Sequence, residues 1–102
     1  MIACRVVGTV VCTRKDEKLV GSKLQVVEPI SLADQSPDGK PLVAIDTVGA
    51  GEVEIVLVVS GSSARQTSRT QNTPVDAVIM AIVDSIEMGG KIVYRKSQVD
   101  ES

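Results

Sequence analysis

The chain opens on a segment whose two alternating faces differ in polarity, the period of two that marks an extended strand. Over Ile2–Thr13, one face carries Ile2, Cys4, Val6, Gly8, Val10 and Cys12, and the other carries Ala3, Arg5, Val7, Thr9, Val11 and Thr13. The first face is apolar and the second mixed, as in a strand with one side in a core. Arg14–Ser22 is a charged loop. Lys23–Ile30 predicts a second strand that ends at or just after Pro29. Ser31–Pro41 is dense in turn residues, with Pro37-Asp38-Gly39 its clearest turn signal.

Leu42–Val48 predicts a third strand, broken at Gly49-Ala50-Gly51. Glu54–Ser60 predicts a fourth, in which Ile55, Val56, Leu57, Val58 and Val59 follow one another without a polar residue. A strand of that kind is covered on both faces. Gly61–Thr73 has almost nothing to bury. Thr73-Pro74-Val75-Asp76 reads as a short helix start, with Thr73 as N-cap and Pro74 in the first helical position. Ile79–Met88 turns strand-like, and Met88-Gly89-Gly90-Lys91 predicts a hairpin turn into a last strand, Ile92–Arg95.

The expected fold is therefore mainly β: a small closed five- to six-stranded OB-like barrel with one short helix. Residues 1–96 form one domain in this reading, and 97–102 a flexible tail. The apolar outer face of the fourth strand needs a cover, for which a partner subunit is the simplest source.

Composition reinforces the β reading. The chain has 102 residues, of which 43% are hydrophobic, yet it contains no Phe, no Trp and one Tyr, Tyr94. Its core is thus drawn from Val, Ile, Leu and Ala, and valine favours strands. Net charge is −2, from 11 basic and 13 acidic residues, which provides no field to attract nucleic acid or an anionic membrane. OB folds that bind single strands stack bases on aromatic side chains along a basic groove, and this chain offers one tyrosine and a net negative charge. No apolar run approaches the roughly 18 residues of a membrane span. Nor does Met1-Ile2-Ala3-Cys4-Arg5 resemble a signal peptide, so a cytosolic location is expected.

Candidate chemistry is sparse. The chain has no histidine, which removes His-activated nucleophiles and imidazole metal ligands together. Cys4 and Cys12, eight residues apart on one strand, lie too far from each other for a disulfide and are expected as small buried apolar side chains. Glu52 and Glu54 share parity in an extended segment, and Asp46 and Ser62 are further conceivable polar participants, but no base or metal cluster joins them. Gly49-Ala50-Gly51 fails as a dinucleotide loop, because position 54 is Glu54 and a strand follows. Gly61-Ser62-Ser63-Ala64-Arg65 lacks the closing glycine and the base of a nucleophile elbow. No catalytic residue, metal or cofactor is expected.

Several separated segments together resemble one family. They are Val6-Val7-Gly8-Thr9-Val10, Leu19-Val20-Gly21-Ser22-Lys23-Leu24, Ala44-Ile45-Asp46-Thr47-Val48-Gly49-Ala50-Gly51-Glu52, Val56-Leu57-Val58-Val59-Ser60-Gly61-Ser62-Ser63-Ala64-Arg65, and Pro74-Val75-Asp76-Ala77 with Ala81-Ile82-Val83-Asp84. The family is that of the bacterial microcompartment vertex proteins of carboxysomes and of ethanolamine- and propanediol-utilising compartments (the EutN/CcmL family).

The resemblance implies a structural shell protein, a cyclic homopentamer capping the five-fold vertices of an icosahedral shell whose facets are hexameric proteins. It also implies that Gly61, Ser62, Ser63 and Ala64 lie near the five-fold axis. Asp46, Val48, Gly49, Ala50, Gly51, Glu52 and Arg65 would lie at the subunit contact. The family pattern Gly-Ala-Gly-x-Gly-Glu has a further glycine where this chain has Val53; valine tolerates positive φ poorly, so an extended backbone is expected there. The alternative to the shell reading is a free OB-type module for single-stranded nucleic acid or a small anion.

Overall fold

Seven strands carry the architecture of the computed structural model, which describes residues 1–13, 17, 21–60 and 77–96. They are β1 (Ile2–Val10), β2 (Lys23–Pro29), β3 (Leu42–Asp46), β4 (Ile55–Ser60), β5 (Ala77–Ile82), β6 (Ser85–Met88) and β7 (Lys91–Arg95). The expected helix start at Thr73, the tail from residue 97, and Gly61, Ser62, Ser63, Ala64 and Arg65 lie outside the described residues.

The first five strands close a barrel in the order β1-β2-β3-β5-β4, with β1 paired to both β2 and β4. All pairings are antiparallel except β3 with β5, which meet in parallel through only Ile45↔Val78 and Asp46↔Ile79. That short seam is reinforced by the Thr47 hydroxyl, which donates to the Ile79 carbonyl at 2.6 Å. β6 and β7 form a separate two-stranded sheet. Its turn is the expected one: Gly89 and Gly90 both have positive φ, at 58° and 79°, as a two-residue hairpin of primed type requires.

The barrel interior is aliphatic. Cys4 and Val6 of β1 meet Val27, Ala44, Val56, Val58, Ala77 and Ile79 in one buried cluster, with Leu42 and Ile82 at its margin. Two apolar clusters also lie on the outside. Ile55, Leu57 and Ala3 pack beneath Tyr94, Ile86 and Val83, together with Ile30. Ile45 and Val78 pack with Leu24 and Val59.

These outer clusters correct the expected origin of the cover over β4. Ile55 faces outward beside Arg5, yet none of its surface is exposed. The cover is the chain's own β6–β7 hairpin, docked through Tyr94 and Ile86 and tied by Val83 N–H to the Ile55 carbonyl at 2.8 Å. The unbroken run Ile55–Val59 is thus explained within one subunit.

Four further expectations are corrected. β1 does not alternate cleanly to Thr13: a bulge at Val7 shifts the register between Val6 and Gly8, so Thr9 joins the face of Gln25 and Val10 pairs with Leu24. Because the strand ends at Val10, Cys12 is exposed, while Cys4 is fully buried as expected. β3 ends at Asp46, two residues before Val48, because the chain there turns into a side-chain-held loop. Finally, Ile79–Met88 is two strands, broken at Val83–Asp84 where the chain leaves the barrel for the hairpin.

Ile55 therefore joins two structural units, and Ile55→Ala should destabilise the protein by about 2–5 kcal/mol in urea unfolding. Hydrogen exchange at the Val83 amide should quicken more than exchange at Val27 within the barrel. Equal acceleration at both sites, or a loss well below that range, would contradict the role given to the hairpin.

Candidate functional site

The loop from Asp46 to Glu54 leaves β3, turns twice and enters β4, and nearly every polar group in it is committed. Asp46 stands at the end of β3 with 7% of its surface exposed. Its Oδ1 accepts the N–H groups of Val48 at 2.9 Å and Gly49 at 2.8 Å, an Asx-type turn that bends the chain off the strand. Gly49 follows with φ 77°, a conformation free of steric cost for glycine.

The loop is then anchored to the barrel by Gln25, a buried amide on the inward face of β2. Gln25 Nε2 donates to the Ala50 carbonyl at 2.8 Å and, more weakly, to Asp46 Oδ2 at 3.4 Å. Its Oε1 accepts the Thr9 hydroxyl at 2.9 Å. A buried amide stripped of such partners costs about 1–3 kcal/mol, so loop and barrel depend on each other. Ala50, fully buried, fills the core beneath the loop.

The second turn holds the main departure from expectation. Val53 has φ 62°, so its backbone is left-handed and not extended, and Glu52 and Glu54 flank a turn instead of sharing a strand face. For a β-branched residue this conformation costs about 1–3 kcal/mol. Neighbouring contacts over-determine it. Val53 N–H donates to the Val6 carbonyl at 2.9 Å, Val6 N–H to the Glu54 carbonyl at 3.0 Å, and Arg5 Nη1 to the Val53 carbonyl at 2.9 Å.

Glu54 closes the loop. Its Oε1 accepts Gly51 N–H at 2.5 Å and its Oε2 pairs with Lys96 at 2.6 Å, beyond the end of β7. The Lys96 ammonium, then the Gly51 N–H, hold the Glu54 carboxyl below the ordinary glutamate value, against the opposing effect of burial.

Of the residues assigned to the contact loop, Val48, Gly49 and Glu52 are exposed, Gly51 is half-buried, and Asp46 and Ala50 are buried in their own chain. Gln25, Thr9, Arg5, Val53, Glu54 and Lys96, which also shape this site, are absent from the sequence-based assignment. Two had a readable signal: Gln25 shares parity with Val27 on an inward strand face, and Val53 stands where the family pattern has a glycine. The pairing of Glu54 with Lys96 spans a separation no local pattern encodes.

None of this geometry is arranged for catalysis among the described residues. The carboxylates of Asp46 and Glu54 are occupied with loop amides and an ammonium, and no cluster of metal-ligating side chains is found among those residues. Burial pushes the Cys4 thiol up to about 11, which keeps it protonated and unreactive at neutral pH. An open, shallow groove lined by Ile2, Ile30, Leu32 and Met88, with Asp38, lies elsewhere, near the start of β1.

An aliphatic five-stranded barrel with a side-chain-held loop defines a small closed β-barrel protein, and comparison with known proteins gives the family. Residues 1–84 match the family described as ethanolamine utilisation protein EutN/carboxysome. The bacterial microcompartment shell vertex protein EutN of Salmonella typhimurium is 50% identical over 91 residues, covering 89% of this chain and 91% of that protein. The solved structure of Gloeobacter violaceus CcmL superposes with a TM-score of 0.88 at 39% identity, over 95% of this chain and 99% of that one. GrpN from Rhodospirillum rubrum, described as a pentameric microcompartment shell protein, superposes with a TM-score of 0.77 at 46% identity, over 86% of this chain and 99% of GrpN. The chain belongs to the EutN/CcmL family.

Glu54 yields a pH prediction with a definite sign. Because its folded carboxyl titrates below the ordinary value of 4.5, its contribution is complete above that pH and is lost as pH falls through the lowered folded value. Urea midpoints of wild type and Glu54→Gln should differ most near neutral pH and converge in acid. A gap that stays constant or widens on acidification would contradict the assigned pairing.

Proposed function

We propose that this chain is a structural shell protein that closes into a homopentameric ring and caps the five-fold vertices of a bacterial microcompartment within the cytoplasm. The observation that carries this reading is the likeness, along nearly its whole length, to a pentameric shell protein, GrpN, alongside relatives named as shell vertex proteins. A ring of five identical chains has heterologous contacts, in which one patch of each subunit meets a different patch of the next. The loop from Asp46 to Glu52 suits such a contact. It is held by side-chain hydrogen bonds at Asp46 and Gln25 before any partner arrives, so little ordering accompanies docking.

In this reading the loop residues Val48, Gly49, Gly51 and Glu52, with Arg65, meet the neighbouring subunit, while Asp46 and Ala50, assigned to the same contact, are buried in their own chain and hold the loop in shape. Gly61, Ser62, Ser63 and Ala64 surround the axis, where small side chains repeat five times without clashing. The remaining partners are hexameric facet proteins, with no nucleic acid, membrane or cofactor, and the chain has no catalytic role. The absence of histidine and the protonated Cys4 thiol support that last point.

Native mass spectrometry tests the ring directly: five copies are expected, and one, two or six would overturn the proposal. Ser63→Trp should block or break the ring, since five indoles would crowd one axis. A normal Ser63→Trp pentamer with an unchanged axis would remove Ser63 from that position. Salt-dependent binding of single-stranded nucleic acid would favour a free OB-type module instead.

A further inference from the structure

Val53 is unfavourably placed twice over in the isolated subunit. Its backbone has φ 62°, which a β-branched side chain opposes, and 50% of its surface stays in water. Glycine would adopt that backbone freely and expose nothing apolar. The strained conformation is nevertheless held firmly, by Val6 on one side and the Arg5 guanidinium on the other. Flanking positions are fixed as well, through Gln25 to Ala50 and through Lys96 and Gly51 to Glu54. The same loop exposes a second valine, Val48, at 39%.

A side chain that costs conformational energy, leaves half of its surface in water and sits on an immobilised backbone has the properties of a preorganised anchor. We infer that Val53 is such an anchor: it docks into the neighbouring copy of this chain, where the burial missing in the single subunit is completed. This inference rests on the ring reading and adds to it a residue outside the assigned contact set. The occupant is a second copy because the solved relative GrpN is pentameric, and because Val53 directly continues the loop proposed as the subunit contact, which ring closure would repeat in every subunit.

Val53→Gly separates the two sides of this balance. In the dissociated subunit, reached by dilution, the glycine variant should unfold at a higher urea concentration than wild type, since the left-handed strain is gone. In ring assembly, followed by native mass spectrometry across a dilution series, it should dissociate at concentrations at least about tenfold higher, the loss of one buried valine per contact. Val53→Thr keeps the branched shape and the strain while replacing one methyl group by a hydroxyl. It should weaken the ring with little gain in subunit stability.

Rings of both variants that dissociate at the wild-type concentration would overturn the anchor while leaving the pentamer intact. If those rings persisted but failed to co-assemble with hexameric facet protein, Val53 would face the facet instead, and docking on a second copy would again be refuted. A wild-type chain that remains monomeric at every concentration would remove the ring reading, and the anchor with it.

Discussion

The Gln25 amide is the most deeply buried polar side chain among the described residues, and much of the structure around it is arranged to satisfy it. Its two ends reach Thr9 on β1 and Ala50 in the loop beyond β3, so a single side chain fixes three segments at once. The barrel needs that tie because its closure is thin at one place. Between β3 and β5 there are only two parallel residue pairs, and the loop secured by Gln25 begins directly beside them. Asp46 belongs to both features: its backbone pairs with Ile79 across the seam, and its carboxylate turns the loop. A buried polar network of this kind is favourable only when every member is satisfied, which couples the loop's shape to the integrity of the fold.

The β6–β7 hairpin has a comparable role on the opposite side of β1. By covering Ile55 and Leu57 with Tyr94 and Ile86, it turns an outward apolar strand face into an internal interface. Lys96, just past β7, reaches back to Glu54 at the end of the stiff loop. Hairpin and loop are therefore linked through one ion pair, although they belong to different sheets. Apolar surface that remains exposed among the described residues lies elsewhere. It includes the loop valines Val48 and Val53 and the bulge residues Val7 and Met80, not the long hydrophobic run of β4.

Strain at Val53 belongs to the same economy of form. A small barrel with short loops has few ways to present an apolar side chain on rigid backbone, because exposed loops usually move. Here the backbone is pinned by β1 from both sides, and β1 is itself the strand shared by both flanks of the barrel. Rigidity at the loop is thus inherited from the barrel and does not depend on the loop's own composition.

By itself, the sequence determined the strand content, the hairpin at Gly89-Gly90, the break at Gly49-Ala50-Gly51, the aliphatic core and the family. Each of these depends on local pattern: alternation, turn chemistry and residue type act over a few positions and leave a visible trace. What only the tertiary structure decided has a different physical origin. The bulge at Val7 reverses the facing of Thr9 and Val10 without any signal in the alternation. The cover over Ile55 comes from Tyr94 and Ile86, a distant segment whose docking no period reveals. Val53 would be expected to extend on its own preference, and it is held left-handed because hydrogen bonds from Val6 and Arg5 outweigh that preference. The bonds of Gln25 to Ala50, and of Lys96 to Glu54, likewise form only once the barrel has closed and brought their partners within reach.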